Sequence, residues 1–524
     1  MNKNLFSTVT DKKCLLLIFI YIISLLIGSS KMSPLYAANE WSDPNIYFNV
    51  GKAMVHGKTL YTEVFDHKGP LIFFIYAAGY LISNDSFFGM FIIELSFWLV
   101  LAYSLYFTAR IYLGKAASCI VSISFFLFLV ELMKAGGSAE EFILCFESVS
   151  LYFFLKYFNS GSTPHKPGYM LLHGAMVTAT LLIKINLIIF WFFPLLFIFI
   201  KLLLQKEFKN FILNVLAYIA GTVIVSMPIL GYLWTHDALE EAYNIYIVLN
   251  KSYAKLQSLP KIISLLLFRT MYLFLTPMSL LLFAPIGIFY FPIKCMKNKI
   301  EKWSIVLSGI SLYSSIFIGK FQYYYPIPFI IFSALGLIGV SLYLRKYVSL
   351  QLTTKSLSLV CCICLFAGLS IYPPGNTLID EYFLREPENR SLALQTDRLK
   401  KEITKEKNPT LLNLGFGMGN SLFSTCNIVP NVKYFIRPNL SYDFYPELRK
   451  EQFEYIKNKK TQFVIIQEFV AIKELYKGDN PVDRPDFLKR LPALAENYRL
   501  VLSDTIVNKI DENSTEVYFL YKRK

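Results

Sequence analysis

NEWSDPNIYFNVGKAMVHGKTLYTEVFDHKGPL, residues 39–71, follows the first long apolar run of the chain. A loop that only joins two membrane helices has no need of Asp43, Asp66, His67, Lys68 and several tyrosines together. The stretch therefore reads as a loop with chemistry of its own, held between membrane-embedded segments. The rest of the 524-residue sequence supplies those segments. It is 55% hydrophobic and 16% aromatic, with a mean hydropathy of +0.45. That composition places it among polytopic membrane proteins.

A membrane helix needs roughly 20 mostly apolar residues, and about eleven such runs are present. They lie near 14–28, 88–107, 116–132, 142–158, 170–183 and 186–204. Five more lie near 211–234, 262–291, 304–319, 323–344 and 356–372. Basic residues set the orientation. Lys12, Lys13, Arg110, Lys115, Lys201, Lys206, Lys209, Lys294, Lys297, Lys299, Lys302 and Arg345 all fall on one side. This side is cytoplasmic, which places the N-terminus inside and loops 31–86 and 133–141 outside. The formal charge of +15 is largely this cytoplasmic lysine and arginine, and it suits a lipid bilayer with anionic headgroups. It is not gathered on one soluble face, so nucleic acid is not an expected partner. The run 70–83 is too short to span and reads as an interfacial helix on the outer face.

Charge rises and long apolar runs end near residue 373. The division predicted is a transmembrane catalytic domain over 1–372 and a small extracytoplasmic α/β domain over 373–524. Short strands are expected at 410–414, 432–436, 463–467, 499–503 and 516–521. The glycine-rich string 414–420 reads as a tight strand-to-helix turn. It lacks the third glycine of a dinucleotide fingerprint, because Asn420 stands there.

The stretch from Asp43 through Tyr47, Gly51 and Gly57 to Lys68-Gly69-Pro70 resembles the first outer loop of the GT-C superfamily of membrane glycosyltransferases. These are polyprenyl-phosphate-dependent enzymes that include protein mannosyltransferases and lipid A aminoarabinose transferases. The resemblance covers the topology and the N-terminal spans, and weakens after them. It implies a GT-C-like fold, a polyprenyl (undecaprenyl) phosphate sugar donor and an acceptor in the cell envelope. That acceptor is a wall glycopolymer such as teichoic acid, or a protein. It also implies that Asp43 meets the acceptor nucleophile, as a base would. The residue type alone also allows a helix cap, since Asp43-Pro44 is a common helix start.

The resemblance gives Lys68 a donor-phosphate contact. A point-charge ammonium suits that role, and a snorkelling interfacial lysine is the plainer alternative. In loop 133–141, Ser138 and Glu141 have the spacing of a capping box. This leaves Glu140 as the candidate functional carboxylate, with Glu141 shared between the two roles. Lys184 and Lys320 are cations at apolar-run ends, where ionisable groups face cavities or partners; both are candidates for the lipid phosphate. Tyr47, His67, Tyr323 and Tyr324 are possible substrate contacts. Asp43 and Glu140 together would offer oxygen ligands to a divalent ion such as Mg or Mn, although no cofactor is required by the sequence. Lysine outnumbers arginine in the outer membrane loops, which favours a monophosphate donor over a diphosphate. A lipid-linked sugar flippase, or a polymer ligase or polymerase using a diphosphate donor, is the rival reading.

Overall fold

The computed structural model describes residues 9–36, 39, 41–133, 135–161, 164–253, 258–275, 279–318, 321–345, 347, 353–371, 396–415, 418–469, 480–508 and 514–524. The chain forms two compact units. The first is Met1–Ser30, Ile93–Gly231 and Ala254–Pro374; the second is Lys31–Ile92, Tyr232–Tyr253 and Gly375–Lys524.

The N-terminal helices in order are α1 (Asp11–Ser29), α2 (Ser42–Val55), α3 (Pro70–Ile82), α4 (Phe88–Arg110) and α5 (Lys115–Leu132). They continue as α6 (Ala139–Asn159), α7 (Pro167–Leu181), α8 (Ile189–Leu204) and α9 (Phe208–Thr235). Among the described residues five helical runs are long and apolar enough to cross a membrane: α1, α4, α5, α9 and 185–204, which ends in α8. The expected spans at 142–158, 170–183 and 304–319 are also helical, in α6, α7 and Lys299–Ile318. They are shorter or carry more charge. The single run expected at 262–291 is instead two helical pieces, Leu259–Leu275 and Leu281–Cys295. Thirty apolar residues exceed what one crossing requires.

In the first unit α1, α5 and Thr354–Ile371 pack on one another, and α6 packs on α7. In the second unit α2 packs on α3 so closely that a Cβ on Gly51 would stand 2.6 Å from the Ala77 backbone nitrogen. Only glycine permits that approach. Tyr47, buried in the same seam, meets Tyr76 edge-on at 5.4 Å and Phe73 at 6.0 Å.

The C-terminal part of the second unit holds a four-stranded mixed sheet in the order β1-β2-β4-β3. Its strands are β1 (Leu411–Asn413), β2 (Phe463–Phe469), β3 (Tyr498–Asn508) and β4 (Ser514–Arg523). β1 pairs parallel with β2; β4 pairs antiparallel with β2 and β3. Phe463, Val464, Ile465 and Ile466 are consecutively buried, as a central strand covered on both faces requires. Residues 432–436 are not a strand, contrary to expectation. Val432, Tyr434, Phe435 and Ile436 are buried, but the run is tied only by isolated backbone bonds, Asn413 N to Phe435 O (2.8 Å) and Phe65 N to Lys433 O (3.2 Å).

Candidate functional site

α2 begins two residues before the start that an Asp43 cap would set. Asn39 Oδ1 accepts from the Trp41 N–H at 2.9 Å, and Asn45 Nδ2 donates to Asn39 O and Trp41 O. These bonds fix Trp41 as the cap and Ser42 as the first helical residue. Asp43 is therefore not the cap. It stands half-buried in the first turn, where a negative charge is favoured by the helix dipole. Of the glycine-rich string after β1, residues 416 and 417 lie outside the described residues, and Asn420 packs against this end. Asn420 Nδ2 donates to Ser42 Oγ at 2.7 Å, and Asn49 Nδ2 donates to Asn420 O at 3.2 Å. Asn413 bonds both Asn420 and the Gly415 N–H. The asparagine that spoils the fingerprint is thus what locks the turn onto α2.

One helical turn along from Asn49, Lys52 is fully buried. Its ammonium donates to Phe423 O at 2.8 Å and Ile428 O at 3.0 Å. Burial pulls its pKa from 10.5 down to about 7.

Lys68 is positioned by Asp66, which the sequence reading singled out in the loop without giving it a role. Buried Asp66 accepts from the Lys68 N–H at 2.9 Å, the i to i+2 bond of an Asx-turn. Burial pushes the Asp66 carboxyl up, while Lys68 beside it pulls it down. Tyr61 OH donates to Lys68 O at 2.7 Å, and Asn250 Nδ2 donates to His67 O at 2.6 Å. The His67 ring lies 3.9 Å from Asp66 Oδ2. The Asp66-x-Lys68 spacing was the signal available in the sequence.

The second acidic loop belongs to the first unit, and here the spacing argument is met. Ser138 Oγ accepts from the Glu141 N–H at 3.1 Å, while Glu141 Oε1 accepts from the Ser138 N–H at 3.1 Å. Glu141 also accepts from Trp98 Nε1 at 3.3 Å. Glu140, left over by the cap, turns to Lys184: the ion pair is 2.7 Å, with the carboxylate only 2% exposed. Lys184 in turn sits 3.7 Å above the Tyr325 ring. The loop is held from beneath by Glu94, a residue the sequence did not flag. Its carboxylate accepts from Ser30 Oγ at 2.6 Å and from the Gly137 N–H at 2.9 Å. Gly136 and Gly137 both have positive φ, +86° and +74°. A Cβ on Gly136 would collide with Ser30 Oγ and Glu94 Oε1.

Gly136→Ala is therefore expected to lower stability by about 1–3 kcal/mol from backbone strain alone, with more from the collision. Thermal melts of purified protein check it. A second expectation separates the two acids. Glu141→Ala removes a cap and costs about 1 kcal/mol or more. Glu140→Gln keeps the cap and instead releases Lys184, so its effect is read in activity at nearly wild-type melting temperature.

Tyr324 is buried and Tyr323 is half-buried, with ring centroids 5.7 Å apart. Lys320 lies outside the described residues. The candidate residues thus form two groups. Asp43, Tyr47, His67 and Lys68 belong to the second unit, while Glu140, Glu141, Lys184, Tyr323 and Tyr324 belong to the first. Among the described residues no three His, Cys, Asp or Glu side chains are grouped as metal ligands. Of the two suggested ligands, Glu140 is paired with Lys184 and Asp43 belongs to the other unit.

The family model described as "Putative competence-induced protein Ccs4 N-terminal domain" matches residues 2–357. The chain belongs to that family. No curated protein matches it by sequence. Solved structures match by fold. ArnT from Cupriavidus metallidurans, crystallised bound to undecaprenyl phosphate, superposes with a TM-score of 0.60 at 12% identity, covering 97% of this chain and 98% of that one. The Archaeoglobus fulgidus oligosaccharyltransferase tethered to an acceptor peptide gives 0.52 at 13%, covering 94% and 72%. The mycobacterial arabinofuranosyltransferase AftD gives 0.51 at 12%, covering 99% and 40%. These are GT-C glycosyltransferases, and the chain has the GT-C fold of a multi-pass membrane protein.

Proposed function

We propose that this member of the Ccs4 N-terminal domain family is a glycosyltransferase. It moves one sugar from a polyprenyl phosphate, undecaprenyl phosphate in the first instance, to a cell-envelope acceptor on the outer face of the membrane. The observation that carries the reading is the GT-C fold across nearly the whole chain, shared with a transferase crystallised on undecaprenyl phosphate.

In the proposed reaction an acceptor hydroxyl attacks the anomeric carbon from the face opposite the lipid phosphate. The new glycosidic bond forms as the bond from carbon to phosphate oxygen breaks, which inverts the centre. Asp43 takes the hydroxyl proton, and the bonding pair leaves with the phosphate. Charge grows on that phosphate, and fixed cations stabilise it best where they need no rearrangement. Lys68, fixed through its backbone by Asp66, and Lys184, fixed through its ammonium by Glu140, are the cations assigned here. Lys320 is a third candidate. Glu140 then acts by orienting Lys184, and Glu141 by capping the helix that carries Glu140. Tyr323 and Tyr324 directly precede Tyr325, and His67 precedes Lys68. These three are assigned to the donor's sugar and prenyl ends. The N-terminus is placed in the cytoplasm and the residues after about 373 outside.

A wall glycopolymer such as teichoic acid is the acceptor favoured, with a protein as the second choice. The product side tests this. Reconstituted protein is given isotope-labelled undecaprenyl-phosphate sugars together with wall polymer and envelope protein. The expected result is label in the polymer from one sugar donor. Label in neither fraction, with the sugar lipid crossing the bilayer instead, would favour the flippase reading.

A further inference from the structure

Two buried acids meet inside the first unit. Glu94 stands on α4 and Glu141 in the first turn of α6, and they are 1% and 4% exposed. Their carboxyl groups hydrogen-bond to one another. Such a bond needs a proton on one of the two. Two carboxyl groups this close cannot both be charged, because their repulsion is little screened away from water. Among the described residues no lysine or arginine forms an ion pair with either acid. Lys184 is engaged by Glu140, Glu131 in the last turn of α5 is a further acid, and Lys134 lies outside the described residues.

The partners of each acid decide which one holds the proton. Glu141 accepts from the Ser138 N–H at 3.1 Å, from Ser138 Oγ at 2.9 Å and from Trp98 Nε1 at 3.3 Å. Glu94 accepts from Ser30 Oγ at 2.6 Å and from the Gly137 N–H at 2.9 Å. Donors favour the charged form of the acid that holds more of them. The helix dipole also favours negative charge in the first turn of α6. Glu141 is therefore the carboxylate and Glu94 the neutral acid. Glu94 is linked in turn to a cation assigned to the lipid phosphate. It ties down Gly137, the neighbouring Ser138 caps α6, and Glu140 in the first turn of α6 holds Lys184 at 2.7 Å.

We infer that Glu94, as a carboxylic acid donating to Glu141, is a positioning residue for sugar transfer that holds the loop keeping Glu140 on Lys184. This rests on the transfer reading above and adds a residue that acts through others. An apolar side chain in its place would leave the Gly137 N–H and the Ser30 hydroxyl without their acceptor. It would also leave Glu141 without its donor.

The test compares full-length wild type, Glu94→Gln and Glu94→Met. A glutamine amide donates to Glu141 while its oxygen accepts from Gly137, all without charge. Glu94→Gln should melt and transfer like wild type. Methionine keeps the bulk and offers neither bond. Glu94→Met should lower kcat about 10–100-fold, the loss that a misplacement of about 1 Å can cause, with a smaller change in KM for the sugar lipid. A second measurement needs neither activity nor the methionine variant. Infrared spectra are taken of protein labelled with carboxyl-¹³C glutamate, in an alkyl maltoside that has no ester carbonyl. Wild type should show a protonated-carboxyl band, shifted by the label, that Glu94→Gln lacks. Identical bands would mean that the acid pair holds no proton, and would overturn the inference. So would Glu94→Gln as slow as Glu94→Met, or Glu94→Met transferring at the wild-type rate. If the band difference is found while wild type consumes no donor, the transfer reading falls and the acid pair stands.

Discussion

Asp43→Asn is expected to fold and insert normally and to transfer sugar about 10²–10⁴-fold more slowly, the range lost when a general base is removed. The geometry separates this effect from a structural one. The start of α2 is tied by Asn39, Trp41 and Asn45, and Trp41 rather than Asp43 is its cap. Asparagine keeps the size and a hydrogen-bonding oxygen but cannot take the acceptor proton. Single-turnover rates for the two proteins, alongside their melting temperatures, give the answer. A variant that melts like wild type and transfers at full rate removes Asp43 from the chemistry.

Lys52→Met should produce the largest loss of stability in the second unit. Lys52 satisfies two buried carbonyls on a segment about 370 positions away in the chain. Each carbonyl left without a donor costs about 1–3 kcal/mol, so a total of about 2–6 kcal/mol is expected. The loss depends on pH. A lysine whose folded pKa, about 7, lies below its unfolded 10.5 binds fewer protons folded than unfolded between those values. Its contribution is full above 10.5 and is lost as pH falls towards 7. Wild type should therefore lead Lys52→Met by more at pH 9 than at pH 7. The slope is at most about 1.4 kcal/mol per pH unit. Denaturant melts at the two pH values check the sign. An equal gap at both would mean that Lys52 stays charged in the folded protein.

The sequence carried what is local. Apolar runs gave the helices, and the Ser138 and Glu141 spacing gave a capping box that the structure contains. That box also singled out Glu140 by elimination. Four of the five expected strands are present, because short apolar or alternating runs bounded by turns mark them. Residues 432–436 misled because a short, mostly apolar run has the composition of a strand while making isolated backbone bonds rather than a ladder. Asp43 misled at the cap because the bonds that set the helix start come from Asn39 and Asn45, both off the usual capping position. What no local pattern encodes is the long-range partner. Glu140 meets Lys184 across 44 positions, Glu94 meets the Gly137 N–H across 43, and Lys52 reaches past 370. Those pairings depend on the fold, and they hold the candidate cations and acids in place.

The central claim is that the chain releases a lipid monophosphate by moving its sugar to an acceptor. The most direct measurement is undecaprenyl phosphate produced by proteoliposomes holding wild-type protein or Asp43→Asn. A panel of undecaprenyl-phosphate sugars is supplied with cell-wall acceptor. Release from one sugar donor is expected, dependent on acceptor and nearly abolished in the variant. No release from any donor with lipid-linked sugar moved across the bilayer, or release only from undecaprenyl-diphosphate donors, would contradict the claim.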